Sequence, residues 1–220
     1  MPPFEAFLPS IAIGLILLVM LWFALGTQRN IRKGNELLGW LQRGLPMIGR
    51  KTTMRWLGSS VLELGIAEAH APFRDATVLM VLEPRDVSVL WAWARWRGRR
   101  DFMIVRANLR RAPRFSLDVG DGRGWTGRLD EATVEEGWRK IAWPGDCVAF
   151  AGRGAEDGPA RLAWSRLSEA SSGIWRLTIQ PVVPHLEIHL RPPSAESASA
   201  DRVLEPIREL AAALTGDQSH

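Results

Sequence analysis

The sequence predicts an α+β protein with an N-terminal transmembrane helix, a mixed-sheet domain of two pseudo-repeated β-α-β-β units, and a C-terminal helix. Three observations predict this architecture. Residues 7–26 form a run of 20 uncharged residues, and residues 75–119 align with 146–190 at a constant offset of 71. Apolar residues also recur at helical spacing near the C-terminus. The 220 residues leave room for about one domain behind the helix.

The first element is the apolar run 7–26. As a helix it spans about 30 Å, the thickness of a bilayer hydrocarbon core. A cleaved signal peptide is the alternative, but residues 1–6 contain an acid and no base, and the run is long for a signal peptide. Seven Lys or Arg residues follow between positions 27 and 55. The positive-inside rule therefore predicts a single-pass protein of the cell membrane, with residues 1–6 outside and the domain in the cytoplasm.

The second element is a basic amphipathic segment over residues 27–51. An apolar face at helical spacing, widened by three further residues, comprises Ile31, Leu38, Leu41 and Leu45, with Leu37, Trp40 and Ile48 beside them. Two alternatives remain open here. The segment lies in the membrane interface as a helix, or it is a linker whose apolar side packs on the domain.

Charge is distributed unevenly along the chain. Residues 27–114 contain 17 Lys or Arg against 7 Asp or Glu, whereas residues 115–220 contain 11 against 16. Because the basic half adjoins the predicted anchor, anionic lipid headgroups are the nearest partner that its charge suits. A nucleic-acid partner would require more than this asymmetry.

The soluble domain is predicted over residues 52–191. It begins with two hairpin-like strands, 52–57 and 61–68, and the two repeat units follow. In each unit an apolar strand precedes a helix, and two further strands follow it. The strands are 76–82, 102–109 and 115–119 in the first unit, and 147–151, 174–180 and 186–190 in the second.

The helices of the two units have matching apolar positions. Asp86 is the predicted cap of the first helix, and Asp157 or Gly158 that of the second. The spacing predicts that one face of each helix packs in the core. These faces are Val89, Ala92, Trp93 and Trp96 in the first unit, and Ala160, Ala163, Trp164, Leu167 and Ala170 in the second.

Three segments complete the chain. Residues 120–127 are a turn-rich connector between the units, and residues 192–200 are a short flexible linker. Residues 201–220 are a C-terminal helix and tail. Pro206 predicts that this helix starts near Glu205, and Gly216 predicts its end.

The strongest candidate for chemistry is the strand 185–189. Alternate residues of a strand share a face, so His185, Glu187 and His189 would project together. Two imidazoles and a carboxylate are the ligand set of many catalytic zinc sites. This pattern offers a metal site, and it also suits the solvated face of a half-buried strand. The solvated face is favoured, because Arg114, Ser116 and Asp118 stand at the matching positions of the first unit.

The segment 91–100 concentrates tryptophan and arginine. Trp93 and Trp96 are assigned to the core by the helical phase. The remaining residues form a candidate patch for lipid or a protein partner, and for single-stranded nucleic acid less readily. That patch is Trp91, Arg95, Arg97, Arg99 and Arg100.

Recognised catalytic and cofactor signatures are missing from the sequence. There is no phosphate-binding G-x-x-x-x-G-K-[ST] loop, no dinucleotide fingerprint and no G-x-S-x-G elbow. The single cysteine, Cys147, stands in an apolar strand and suits a small buried hydrophobe. We therefore name no catalytic residue and no cofactor. The sequence favours a membrane-anchored, non-catalytic interaction or scaffold protein with a protein partner. The alternatives are a metal-dependent enzyme and a module that binds anionic lipid or nucleic acid; the oligomeric state is not predicted.

Overall fold

The structure is a computed structural model that describes residues 4–121, 137–152, 154–155, 157–193 and 198–216, with side chains from residue 7 onward. Parts of three predicted segments lie outside the described residues. They are positions 122–127 of the connector, 194–197 of the linker and 217–220 of the tail. Residues 1–3 of the N-terminus also lie outside the described residues.

Helix α1 runs without interruption from Phe4 to Gln42. Side chains 7–25 are exposed on all sides, and among the described residues this one helix is long and apolar enough to cross a membrane. The helix then continues into the predicted basic segment, where a 3₁₀ turn at Leu45–Met47 follows it. The apolar side of this second part packs on the domain, which is one of the two alternatives above. Its buried residues are Leu37, Trp40, Leu41, Leu45 and Ile48.

A sheet of nine strands forms the body of the described chain. Three further helices accompany it: α2 (Ser88–Trp96), α3 (Gly158–Ala170) and α4 (Ala200–Thr215). The strands are β1 (Thr52–Trp56), β2 (Val61–Ile66), β3 (Phe73–Val81), β4 (Phe102–Leu109), β5 (Leu117–Asp121), β6 (Arg139–Ile141), β7 (Cys147–Ala151), β8 (Ile174–Ile179) and β9 (Leu186–Leu190).

The strand order across the sheet is β1-β2-β3-β4-β9-β8-β5-β7-β6. Every pairing between these strands is antiparallel, so the sheet is not mixed as the sequence analysis expected. The α+β class and both β-α-β-β units are confirmed. Strand β6 was not predicted, because three residues with two charges carry little strand periodicity.

The two units are interleaved in space. Strand β5 of the first unit pairs with β7 and β8 of the second, and β9 of the second unit pairs with β4 of the first. Each unit therefore completes its sheet with the third strand of the other. This interleaving places the start of β4, the end of β9, the start of β8 and the end of β5 side by side.

The core lies between one face of the sheet and three helical segments. Helix α3 packs on α4 and β8, and the second part of α1 packs on α4. The predicted inward face of α3 is confirmed, since Ala160, Ala163, Trp164 and Leu167 are buried and Ala170 is half-buried against the core. Trp143 meets Trp164 edge-on at 5.9 Å between ring centroids. Edge-to-face contact is a favourable arrangement for such rings.

Helix α4 begins earlier than the sequence predicted. It starts at Ala200, and Pro206 lies inside it rather than in its first turn. An interior proline costs roughly 3 kcal/mol. Burial of the apolar stripe of α4, which includes Val203, Leu204 and Ile207, offsets that cost. The predicted end is confirmed, because Gly216 adopts a left-handed conformation with φ 67°.

Candidate functional site

A polar cluster joins helix α1 to the loop between β3 and α2. Arg85 donates from both terminal nitrogens to the Asp101 carboxylate, at 2.9 and 3.1 Å, and also to Asn30 Oδ1 of α1 at 3.1 Å. The backbone N–H of Glu83 donates to Asp101 Oδ1 at 2.7 Å. Asn30 is fully buried, and the Arg85 and Asp101 side chains are 22 and 16 % exposed. These contacts hold α1 at a set position on the domain. We call Asn30, Arg85 and Asp101 the α1 clamp.

Two residues of the predicted patch bind a buried carboxylate instead of facing outward together. The Glu83 side chain is 3 % exposed. It accepts a hydrogen bond from Trp91 Nε1 at 2.7 Å and pairs with Arg95 at 3.3 Å. The Arg95 guanidinium also lies over the Trp91 ring, 5.7 Å from its centroid. Trp91 and Arg95 therefore attach α2 to the loop before it.

Helix α2 lies beside the apolar part of α1. Trp22 Nε1 donates to the Arg85 carbonyl at 3.1 Å, and the Trp22 and Trp91 rings are 6.4 Å apart. Gly26 of α1 is buried against the same loop. A Cβ at Gly26 would stand 2.1 Å from the Arg85 oxygen and 2.6 Å from the Asp86 Cα. The absence of a side chain at position 26 thus permits the contact between α1 and the loop.

The outer face of α2 is exposed, so the prediction that Trp93 and Trp96 lie in the core is wrong. Val89, Trp93 and Trp96 are 80, 47 and 82 % exposed. Among the residues of α2, only Ala94 is buried. Asp86 does not cap the helix either; its carboxylate accepts a hydrogen bond from the Ser59 hydroxyl, and Val87 takes the cap position.

Comparison of the two units explains the error. At the offset of 71, Val89, Trp93 and Trp96 correspond to Ala160, Trp164 and Leu167, which are 1, 5 and 0 % exposed. Helix α4 packs on α3, whereas no described element covers the same side of α2. The periodicity correctly marks an apolar face, but the spacing of residues does not say what covers it.

A cavity of about 360 Å³ opens at the end of the sheet next to α2. Its walls come from the turn 97–100, Phe102 at the start of β4, Asp121 at the end of β5, residues 173–175 at the start of β8, and Arg191 after β9. The interleaved strand order brings these segments together. We call it the arginine cavity. Arg97, Arg99 and Arg100 of the predicted patch line this cavity.

Electrostatically the arginine cavity is basic. Arg97, Arg99, Arg100 and Arg191 line it, against Asp121 as the carboxylate. Burial lowers the pKa of Arg99, and the nearby Glu83 and Asp101 carboxylates oppose that effect. The Arg97 guanidinium lies over the Trp93 ring, 4.4 Å from its centroid. Arg100 donates to the Arg95 and Arg99 carbonyls at 3.1 and 2.7 Å.

Sequence reasoning missed the far wall of this cavity. Phe102 and Trp175 meet edge-on at 5.6 Å, and Arg191 extends the basic lining. Trp175 and Arg191 lie far from residues 97–100 along the chain. No local pattern connects them, because the pairing of β9 with both β4 and β8 brings them near.

The predicted metal triad is divided between different partners. The His185 ring is buried, and its Nδ1 accepts the backbone N–H of Leu109 at 2.9 Å. His189 Nε2 donates to Glu187 at 2.6 Å, and Arg106 binds the other oxygen of Glu187, also at 2.6 Å. Among the described residues no group of three or more His, Cys, Asp or Glu side chains is arranged to hold a metal ion. The structure therefore brings Glu187 and His189 together and gives His185 a separate structural contact. The favoured expectation of a solvated strand face is wrong for the two histidines, since His185 and His189 are both buried.

The same sheet face carries a second polar group on β5 and β8. Asp118 accepts from Thr178 at 2.8 Å and from Arg176 at 3.0 Å. Burial raises the pKa of Asp118, while Arg176 and Thr178 act against that rise.

Cys147 is a half-buried free thiol whose pKa is raised by burial, with Asp121 and Asp146 adding to the effect. A raised pKa disfavours the nucleophilic thiolate.

The lowered pKa of Glu187 predicts how the free energy of unfolding changes at low pH. The hydrogen bond from His189, followed by that from Arg106, lowers the pKa of Glu187 from 4.5 to about 2, against the opposing effect of burial. A carboxylate with a lowered pKa contributes stability that is fully present above its unfolded pKa. We expect that contribution to be lost as the pH falls from 4.5 towards 2. Glu187→Gln should flatten this part of the pH profile of the free energy of unfolding, measured by denaturant titration.

The control for this measurement is Glu169→Gln, which removes an exposed carboxylate of α3. It should leave the low-pH part of the profile as in the parent protein. A profile equally steep in the parent and in Glu187→Gln would contradict the role given to Glu187.

The chain was compared with known proteins by family and by sequence. No protein-family model matches it, and the search of curated proteins finds no match. Its function has to be inferred from its own residues and contacts.

Proposed function

We propose that this protein is a single-pass membrane protein whose α+β domain is a non-catalytic interaction or scaffold domain at the cytoplasmic face of the cell membrane. In this proposal α1 spans the bilayer, and α2 rests in the interface beside it. The protein partner would meet the part of the domain that faces the cytoplasm.

The observation that carries the proposal is the uncovered apolar face of α2 beside the apolar part of α1. Trp22, which contacts Trp91, lies four residues before the end of the uncharged run at Gly26. At 1.5 Å per residue this is about 6 Å from the end of the span. Tryptophan favours that depth, and an apolar helix face beside basic residues suits the interface. Insertion would contribute on the order of 1.5–3 kcal/mol for each large side chain that becomes fully buried.

The α1 clamp supports a fixed orientation of the domain on the membrane. A helix that left the bilayer through a flexible linker would let the domain tumble. Here α1 continues to Gln42, and Arg85 ties its Asn30 to the domain. The basic residues that follow the apolar run support the cytoplasmic side, since Lys and Arg are retained there.

Cell fractionation and protease access test the location. The full-length chain should sediment with membranes and resist extraction by salt and by alkaline carbonate. Protease added to intact cells should leave the domain uncut, and protease added to inverted vesicles should degrade it. Recovery of the full-length chain in the soluble fraction, or cleavage of the domain in intact cells, would reject the proposal.

A fluorescent label at position 96 tests how deeply α2 lies in the membrane interface. In a Cys147→Ala background, Trp96→Cys is labelled with an environment-sensitive fluorophore, and the protein is reconstituted in phosphatidylcholine–phosphatidylglycerol vesicles. We expect lipids with brominated chains to quench the label by at least about a third, because Trp96 would lie in the interface.

Leu162→Cys is the matched control, since Leu162 is an apolar helix residue that is 60 % exposed on α3. Its label should stay unquenched. Equal quenching at the two positions, or none at position 96, would mean that the bilayer does not cover α2.

The two alternative functions have simple tests of their own. Elemental analysis of the purified protein tests the metal-dependent enzyme at His185, Glu187 and His189, which requires stoichiometric zinc or manganese. Binding of anionic liposomes and of single-stranded nucleic acid, each measured against salt, tests the third hypothesis, a module that binds anionic lipid or nucleic acid. A metal-dependent enzyme does not account for the exposed face of α2.

A further inference from the structure

The arginine cavity is distinguished by the number of arginines that line it together. Some arginines elsewhere on the described chain form ion pairs with carboxylates; examples are Arg85 with Asp101, Arg106 with Glu187 and Arg176 with Asp118. At the cavity, Arg97, Arg100 and Arg191 form no ion pair with any carboxylate of the described residues. Because the lining contains four arginines and the Asp121 carboxylate, its net charge is positive, and an anion in the cavity would be stabilised.

The shape of the cavity suits a small group more than an extended chain. Its volume of about 360 Å³ is at the lower end of the range for small-molecule sites. Phe102 and Trp175 form an apolar wall, and Gly173 leaves open space. One side thus offers guanidinium donors and the other an aromatic surface. An amphipathic ligand with an anionic group and an apolar part would use both.

The position of the cavity indicates where such a ligand would come from. The turn 97–100 directly follows α2, and Trp96 at the last position of that helix is 82 % exposed. A cavity attached to an interfacial helix opens at the depth of lipid headgroups. Phosphate oxygens match the fork of donors that arginine presents.

We propose that the arginine cavity binds one phosphate-bearing group, supplied in the membrane by the headgroup of an anionic phospholipid. Arg97, Arg100 and Arg191 hold the phosphate, and the Phe102–Trp175 wall contacts the glycerol and the start of the acyl chains. The lipid source depends on the proposed function, whereas recognition of phosphate does not.

The test uses the full-length protein purified in uncharged detergent. Calorimetric titration is carried out with dihexanoyl-phosphatidylglycerol, with dihexanoyl-phosphatidylcholine, and with glycerol 3-phosphate. We expect saturable binding of one phosphatidylglycerol, and binding at least about tenfold weaker for the other two. Arg191→Gln and Arg100→Gln should each weaken phosphatidylglycerol binding roughly tenfold or more, since a hydrogen bond to a charged group contributes about 1.5–3 kcal/mol.

A matched triple variant separates a site from general surface charge. Arg97, Arg100 and Arg191 are replaced by Gln in one protein, and the exposed Arg111, Arg114 and Arg202 in another. Both lose the same charge, but only the first should lose binding. Because all six residues are half-exposed or exposed, thermal unfolding should show that both variants remain folded.

Each outcome of these titrations has a definite consequence for the proposal. Equal loss in the two triple variants, or no saturable binding of any of the three ligands, would overturn the proposal. Equal affinity for glycerol 3-phosphate and phosphatidylglycerol would keep the phosphate site and reject the lipid as its source. Binding in detergent does not require α2 to enter a bilayer. Ligand binding at the arginine cavity can thus be rejected while the fluorophore test of α2 succeeds, and the reverse also holds.

Discussion

Replacing Gly26 by alanine is expected to detach α1 from the loop between β3 and α2. The added Cβ would overlap the carbonyl oxygen of Arg85, 2.1 Å away, and the Cα of Asp86, 2.6 Å away. Both are backbone atoms, so no side-chain rotation relieves the overlap. Overpacking against rigid structure costs roughly 1–3 kcal/mol or more. We expect a lower unfolding temperature and faster hydrogen exchange of the backbone amides of residues 83 and 85–87.

Gly39→Ala is the control on the same helix. Nothing lies within 4 Å of a Cβ at Gly39. Because alanine is a better helix former than glycine, this variant should be more stable by up to about 1 kcal/mol. If Gly26→Ala were as stable as Gly39→Ala, and exchange in the loop were unchanged, the close approach of α1 to residues 85–86 would be wrong.

The second large effect is expected at the α1 clamp. Arg85→Ala removes the partner of the largely buried Asp101 carboxylate and the donor to Asn30. Loss of one member of a buried pair typically costs about 3–5 kcal/mol, because it leaves an uncompensated charge. The partial exposure of both side chains puts this variant towards the lower end of that range. Denaturant unfolding of the full chain measures the change.

A double-mutant cycle with Asp101→Ala shows whether the two residues act as a pair. If they do, the double variant should be less destabilised than the sum of the single variants, since it leaves no unpaired charge. Arg55→Ala serves as the surface comparison, because the Arg55–Glu63 pair is exposed on the arginine side and should contribute at most about 1 kcal/mol. Additive effects of Arg85→Ala and Asp101→Ala would argue against the clamp.

The fold could be predicted from local patterns where one element determines its own shape. The uncharged run 7–26, the two β-α-β-β units and the apolar stripe of α4 each depend on spacing within one segment. The inward face of α3 was correct for the same reason. The predicted start of α4 was wrong. Pro206 disfavours a helix interior only as a local preference, and burial of the apolar stripe of α4 outweighs it.

The candidate site was only half predictable. Five patch residues were identified between 91 and 100, but Trp91 and Arg95 bind Glu83, a residue that the patch did not include. The other three line a cavity whose opposite wall comes from the second unit. The metal pattern on β9 failed to anticipate that His185 accepts the N–H of Leu109, because strand alternation does not report neighbouring strands.

By itself the sequence determined the apolar span, its basic flank, and the order of the helices and of every described strand except β6. Each depends on the chemistry of neighbouring residues, and periodicity records that chemistry. Tertiary structure alone decided that β5 and β9 exchange places between the units, that no described element covers α2 as α4 covers α3, and that four arginines line one cavity. These features depend on contacts between residues far apart in the chain, where the free energy of packing and strand pairing selects the partner.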